Sequence, residues 1–194
     1  MAQLAETIET PRLLIRNFES GDLDVLAEIL GDESVNRFLY TQARTHDESV
    51  AALATRMSTS GEDDEDQLLR VAVELKNPRV LIGDFMLRWR NDVHRQGEFG
   101  GSLHPRYHGQ GFATEVYRGL LELAFDRHDL HRVYGQCDAR NIASVRSLEK
   151  AGLRREAHLV ENEYVKGEWT DEIVLAILQR EWRATESPRS AAHA

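Results

Sequence analysis

At 194 residues the chain has room for one domain with a sizeable core. A net charge of −9 argues against nonspecific binding to nucleic acid or anionic membranes, and hydrophobic residues at 41% with no run of membrane-spanning length describe an ordinary globule. The opening MAQLAETIET lacks the basic and apolar regions of a signal peptide, and the single cysteine, Cys137, cannot form an internal disulfide, so a cytoplasmic location is expected.

In chain order, residues 12–18 follow Pro11 and read as an edge strand. A helix comes next, with Ser20 or Asp22 near its cap, Leu23, Leu26, Ala27 and Leu30 on one face, and Gly31 closing it. Residues 33–40 and 47–58 suit short helices. The acidic run Glu62-Asp63-Asp64-Glu65-Asp66 reads as a solvated loop rather than a substrate-steering surface. Strands at 68–75 and 80–90 are joined by a Lys76-Asn77-Pro78-Arg79 turn, and another strand covers 96–103. A helix over 112–127 sets Phe112, Val116, Leu120 and Ala124 four apart on one buried stripe. Residues 131–137 form the next strand. Asn141 then caps a helix that Gly152 stops, and strands at 153–165 and 171–178 meet at a Lys166-Gly167 turn. The expectation is a single domain over residues 1–184, built as an α+β sandwich. Its sheet is mixed, mostly antiparallel and of about seven strands, with helices on both faces. Residues 185–194 read as a small, polar, disordered tail.

The most informative stretch is HPRYHGQGFATE at residues 104–115. It joins the strand ending at Leu103 to the helix starting at Phe112, and places Gly109-Gln110-Gly111 where the helix begins. Bare backbone there lets a phosphate approach closely, and the first N–H groups of the helix point outward at it. Spelling excludes two familiar phosphate loops. A P-loop needs Gly-Lys-Ser/Thr, whereas Phe112 and Ala113 follow Gly111; a dinucleotide fingerprint needs a third glycine where Thr114 stands. Taken alone, the GxG is equally a turn without a ligand.

The order of motifs decides between these readings. The strand, HGQGFATE, the helix, the next strand, Asn141-Ile142-Ala143-Ser144, a further helix and Ala151-Gly152-Leu153 together resemble the GNAT superfamily of acetyl-CoA-dependent N-acetyltransferases. Thr10-Pro11-Arg12-Leu13-Leu14-Ile15-Arg16 and Gly167-Glu168-Trp169-Thr170-Asp171 are similar to its RimJ/RimL branch, whose founding members acetylate N-termini of ribosomal proteins. The resemblance covers residues 10–182 and departs at His108, where the family usually has Gln or Arg.

This resemblance implies a GNAT fold and direct transfer of acetyl from coenzyme A to a primary amine in a ternary complex. It places coenzyme A against Leu103, His104, His108, Gly109, Gln110, Gly111, Phe112, Ala113 and Thr114, with Asn141 contacting the pantetheine arm. The backbone of Leu103, where the family's central strands splay, would polarise the thioester carbonyl. Ser144 matches the position that protonates the departing thiolate. Asn141 is also an ideal helix cap, and serine is unremarkable in a first helical turn. The base is either Glu163, four residues before the turn glycine, or Glu98, which the histone-type members use. Either carboxylate is equally an outward residue on a half-exposed strand.

Cys137 shares a strand face with Val133 and Gly135 and reads as a small buried residue rather than an acyl carrier. The eight histidines make no metal constellation, so no metal is expected. Trp89, Trp169 and Tyr164 read as sheet packing in preference to pocket lining. The acceptor is expected to be a protein N-terminus or a small-molecule amine, and edge strands make a homodimer compatible with the fold. The reading from a different class is a non-catalytic acyl-CoA-binding sensor or scaffold.

Overall fold

The computed structural model describes residues 4–58, 66–90 and 93–186. The acidic run at 62–65 and the tail beyond Glu186 lie outside the described residues. The strands are β1 (Ile8–Glu9), β2 (Leu13–Arg16), β3 (Asp66–Lys76), β4 (Arg79–Arg90), β5 (Gln96–Leu103), β6 (Arg132–Asp138), β7 (Arg154–Val165) and β8 (Glu168–Leu178). The helices are α1 (Leu23–Gly31), α2 (Glu33–Asn36), α3 (His46–Met57), α4 (Phe112–Glu122), α5 (Ile142–Ala151) and α6 (Gln179–Glu186). One sheet holds all eight strands in the order β1-β2-β3-β4-β5-β6-β8-β7. Its neighbours are antiparallel except β5 and β6, which run parallel. The expected α+β class, mixed sheet and two-sided helical cover are what the structure has.

Alternation along the strands builds two unequal cores. Leu69, Val71 and Val73 of β3, Phe85 and Leu87 of β4, Phe99 of β5 and Val133 of β6 all point to one face. Against them α4 lays Val116, Tyr117, Leu120 and Leu121, and α5 lays Val145, Leu148 and Ala151. The smaller core joins Ala72 and Leu81 on the opposite face to Phe18, Leu26 of α1 and Leu53 of α3.

Several boundaries differ from the sequence reading, each for a local reason. The strand expected at 12–18 shortens to β2, which is not the edge, because β1 pairs outside it through Ile8↔Ile15 and Glu9↔Leu14. A two-residue strand carries no periodicity to detect, which is why about seven strands become eight. The helix expected over 33–40 stops at Asn36, with Asp32 accepting from the N–H groups of Ser34 and Val35 at its start. The long central helix is α-helical only to Glu122. Residues Leu123–Arg127 widen into a π turn, closed by the His128 N–H donating to the Leu123 carbonyl at 3.2 Å. Helix α6 was absent from the sequence reading; its Trp182 is buried beside Phe125, ring centroids 6.3 Å apart.

One clamp ties the start of the chain to α4. The Thr10 hydroxyl donates to Glu115 Oε1 at 2.6 Å and the Arg12 N–H to the same oxygen at 2.8 Å. Arg12 Nε reaches Glu115 Oε2 at 2.7 Å, and Arg12 Nη1 donates to the Gln110 carbonyl at 3.1 Å. The guanidinium also lies over the Phe112 ring, 4.3 Å from its centroid. The TPR at the beginning of the chain therefore holds the loop entering α4 in place. Burial works to raise the Glu115 carboxyl, but the bonds from Thr10 and Arg12 outweigh it and hold it below its ordinary value. Glu115→Gln is expected to cost about 1 kcal/mol at pH 7. A carboxyl lowered by folding stabilises above its unfolded value, and that stability is lost as pH falls through the folded value. Urea midpoints of wild type and variant should therefore differ at pH 7 and converge as pH drops below 4.5.

Candidate active site

The site is built on a parting of strands. β5 pairs with β6 only from Gln96↔Arg132 to Phe99↔Gly135. Beyond that point β5 stays with β4 as far as Gly83↔Leu103, while β6 stays with β8 as far as Asp138↔Glu172. Gly101 makes the close β4–β5 approach feasible, since a Cβ there would lie 2.5 Å from the Phe85 ring and 2.8 Å from the Asp84 carbonyl. The His104 N–H donates to the Ile82 carbonyl at 2.8 Å. That bond makes Gly83 and Leu103 a non-hydrogen-bonded pair, so Leu103 turns its own N–H and C=O away from β4, toward the gap.

The loop after β5 leads to a helix start with no capping side chain. Gly111, at φ 82°, occupies the cap position of α4, and Gly109 has φ 73°. Both are left-handed conformations that cost a residue with a Cβ about 1–2 kcal/mol. The first backbone bond of α4 is from the Glu115 N–H to the Gly111 carbonyl at 3.2 Å. The preceding N–H groups of Phe112, Ala113 and Thr114 have no helical acceptor by geometry, and no cap side chain turns onto them. Meanwhile the loop's side chains turn inward or onto neighbours. Gln110 Nε2 donates to the Arg106 carbonyl at 2.9 Å, the Thr114 hydroxyl to the Ser147 carbonyl at 3.2 Å, and Phe112 is buried. His104 Nδ1 accepts from the Arg106 N–H at 3.2 Å, which leaves its Nε2–H to donate to Glu28 at 3.0 Å. His108 Nε2 donates to the Leu103 carbonyl at 2.9 Å, tying the loop back to the end of β5. What faces outward is main chain: the electrostatics of an anion cradle.

Side chains from both faces of the sheet meet at the gap. On the α4 side, the Ser144 hydroxyl in the first turn of α5 lies beside the Tyr117 hydroxyl and the Cys137 thiol. Asn141 accepts from the Ser144 N–H at 3.2 Å, so it does cap α5. Burial, then the charge of Glu172, pushes the Cys137 thiol up to about 12. Burial, then the neighbouring Cys137, pushes the Tyr117 phenol up as well. On the opposite side, Glu172 of β8 accepts from the Tyr40 hydroxyl, from Gln136 Nε2 at 3.0 Å and from Asn162 Nδ2 at 3.0 Å. Burial, then the bond to Glu172, raises the Tyr40 phenol above its usual range, and the nearby charge of Glu163 adds to this. Glu163 itself is exposed on β7, at the rim of the same group.

Of the predicted residues, Ser144 lies beside Tyr117 and Cys137, Glu163 lies near Tyr40 on β7, and Leu103 turns its backbone toward the gap. Glu98 lies on the closed segment of β5 instead, paired with Tyr134 and Arg88 across its neighbouring strands. Its carboxylate bonds the Tyr134 hydroxyl. Cys137 is buried, as its strand phase implied. Trp89 packs in the core beside His128, ring centroids 4.4 Å apart. Tyr164 and Trp169 do not pack into the sheet. They stack edge-on at 5.3 Å and are 62% and 59% exposed, because the β7–β8 hairpin extends beyond the helices that cover the sheet. Sequence reasoning missed Tyr40, Tyr117 and Glu172. The signal for Glu172 was its phase, since Thr170, Val174 and Ala176 share its face of β8; a glutamate beside Asp171 looks solvated in a linear reading. Among the described residues no group of three could hold a metal, and no helix is long and apolar enough to cross a membrane.

The geometry has known counterparts. The family model described as an acetyltransferase (GNAT) domain matches residues 12–154. An uncharacterised N-acetyltransferase of Bacillus subtilis (strain 168) is 31% identical over 175 residues, covering 90% of this chain and 98% of that protein. Among solved structures, an acetyltransferase (GNAT family) from Bacillus anthracis superposes with a TM-score of 0.78 at 26% identity, covering 90% of this chain and 99% of the other. The spermidine N-acetyltransferase of Vibrio cholerae, crystallised in complex with CoA and spermine, gives a TM-score of 0.74 at 25% identity with the same coverage.

The raised thiol makes a chemical prediction. Iodoacetamide at pH 8 should alkylate Cys137 at least about 100-fold more slowly than free cysteine, because little thiolate is present and the group is buried. A rate near that of free cysteine, followed by mass spectrometry, would contradict the buried placement.

Proposed function

The chain belongs to the GNAT family of acetyltransferases, and on that footing we propose that it transfers acetyl from acetyl-CoA to a primary amine by direct attack in a ternary complex. The observation that carries this reading is the gap between β5 and β6 lying next to the uncapped start of α4. A thioester arm fits the first and a pyrophosphate fits the second. The TPR and GEWTD segments support a place in the RimJ/RimL-type branch, with a protein N-terminus or a small amine as acceptor.

The roles are those that the family resemblance implies, with the geometry in support. The N–H groups of Phe112, Ala113 and Thr114 hold the pyrophosphate. The Leu103 N–H, turned into the gap, donates to the pantetheine arm or to the thioester carbonyl, where a donor of this kind contributes roughly 2.7–4 kcal/mol. The amine nitrogen forms its bond to the carbonyl carbon as the carbon–sulfur bond breaks. Ser144 delivers the proton that the leaving thiolate needs, and Glu163 receives the proton that the amine gives up. Glu163 is favoured over Glu98 by its nearness to Tyr40 and Glu172 at the gap. Its exposure lets it pass that proton to water.

Two experiments test the reading. Free-thiol release from acetyl-CoA, followed with N-terminal peptides, aminoglycosides and polyamines, should depend on the acceptor and fall at least about tenfold in Ser144→Ala and in Glu163→Gln. Tight CoA binding with no turnover across the panel would favour a non-catalytic acyl-CoA sensor. Gly111→Ala forces a side chain onto a φ of 82°. It should cost about 1–2 kcal/mol of stability and weaken CoA binding several-fold; an unchanged Kd by calorimetry would separate the α4 start from the cofactor.

A further inference from the structure

The described residues include five buried carboxylates: Asp22, Glu74, Asp84, Asp138 and Glu172. Four have an arginine. Arg16 pairs with both Asp22 and Glu74, and Arg79 also reaches Glu74. Arg56 lies 2.6 Å from Asp84, and Arg140 2.6 Å from Asp138. Glu172 differs. It is 2% exposed, and the partners recorded for it, the Tyr40 hydroxyl and the amides of Gln136 and Asn162, are all neutral. Its strand neighbour in register, Asp138, is held by Arg140. A buried carboxylate is costly unless hydrogen-bonded and paired, and this one is hydrogen-bonded but without a cation.

Its position explains the missing charge. Glu172 lies beyond the last β5–β6 pair, one strand in from the gap, close enough for its charge to act on Cys137. Tyr40, itself 53% exposed, donates to it, as do the exposed side chains of Gln136 and Asn162. We infer that Glu172 is the counter-ion for the ammonium group of the acceptor, the residue that captures the amine at the gap before it reacts. This rests on the acetyltransferase reading and adds to it a division of labour. A carboxylate that binds an ammonium favours its charged form, so a second group must take the proton away. The buried Glu172 sets affinity; the exposed Glu163 removes the proton.

The test is binding and kinetics on CoA-saturated protein with two probes, spermidine and a serine-alanine peptide amide, and with the N-acetylated form of each. Calorimetry gives Kd, thiol release gives KM and kcat, and thermal unfolding checks the fold. For Glu172→Gln the expected result is a Kd and KM raised at least about tenfold with kcat within about threefold, and Glu172→Asp recovering part of the loss. Glu163→Gln is expected to lower kcat instead. In the unaltered protein the acetylated probe, whose reacting amine carries no charge, should bind at least about tenfold more weakly, a readout that needs no variant to fold. Unchanged KM and Kd in a folded Glu172→Gln protein, equal binding of charged and acetylated probes, or no binding of either probe to wild type would each overturn the inference. Thiol release that proceeds normally in Glu172→Gln would sink this role and leave the transferase standing. Glu172-dependent binding without thiol release would do the reverse.

Discussion

The site depends on two parallel strands that stop pairing. Through Phe99 and Gly135, β5 and β6 share a ladder; after that each keeps only its outer partner. A backbone edge inside a sheet is normally satisfied by its neighbour. Here the edge at Leu103 faces a gap instead, with main-chain polar groups available to a ligand that can slot between strands. The parting is maintained from both sides. Gly101 holds β5 against Phe85, and the seven-pair ladder with β8, from Arg132↔Leu178 to Asp138↔Glu172, holds β6 away.

Once the strands part, the rest of the site is a matter of what each face contributes. On the α4 side the gap is floored by a compact aromatic group. Tyr117 meets Phe85 at 5.5 Å and Phe99 at 5.4 Å, which fixes its hydroxyl beside Ser144. The start of the same helix is uncapped and braced by Arg12 and Glu115. On the other side the α2–α3 connection and the β7–β8 hairpin are joined by Tyr40 to Glu172 and by the Lys166 ammonium donating to the Asn36 carbonyl.

The polar economy of the protein sorts structure from chemistry. Arg16 serves two buried carboxylates at once and is driven to stay charged by both. Asp84 is held by Arg56 from α3, with Arg70 alongside. These pairs tie strands of the sheet to one another and to the helical cover. Around Glu172, among the described residues, the hydrogen-bond partners are instead a neutral hydroxyl and neutral amides.

Much of this was legible in the sequence. The period of α4, the Asn141 cap, the glycines at 109 and 111 and the order of strands and helices are local signals, set by side-chain spacing and by which residues tolerate positive φ. They determined the fold class and the family resemblance. The two-residue β1, the π turn after Glu122 and the helix carrying Trp182 were not legible, because their stability comes from partners rather than from period. The chemistry at the gap was legible only in part. Ser144 and Glu163 stood out by motif, but a linear reading kept Glu98 as a second candidate base and passed over Tyr40, Tyr117 and Glu172. Burial is a property of the packed sheet: only the tertiary structure could decide that Glu172 is enclosed without a cation, that Glu98 lies where the strands are still paired, and that Thr10 and Arg12, about a hundred residues away in sequence, brace the start of α4.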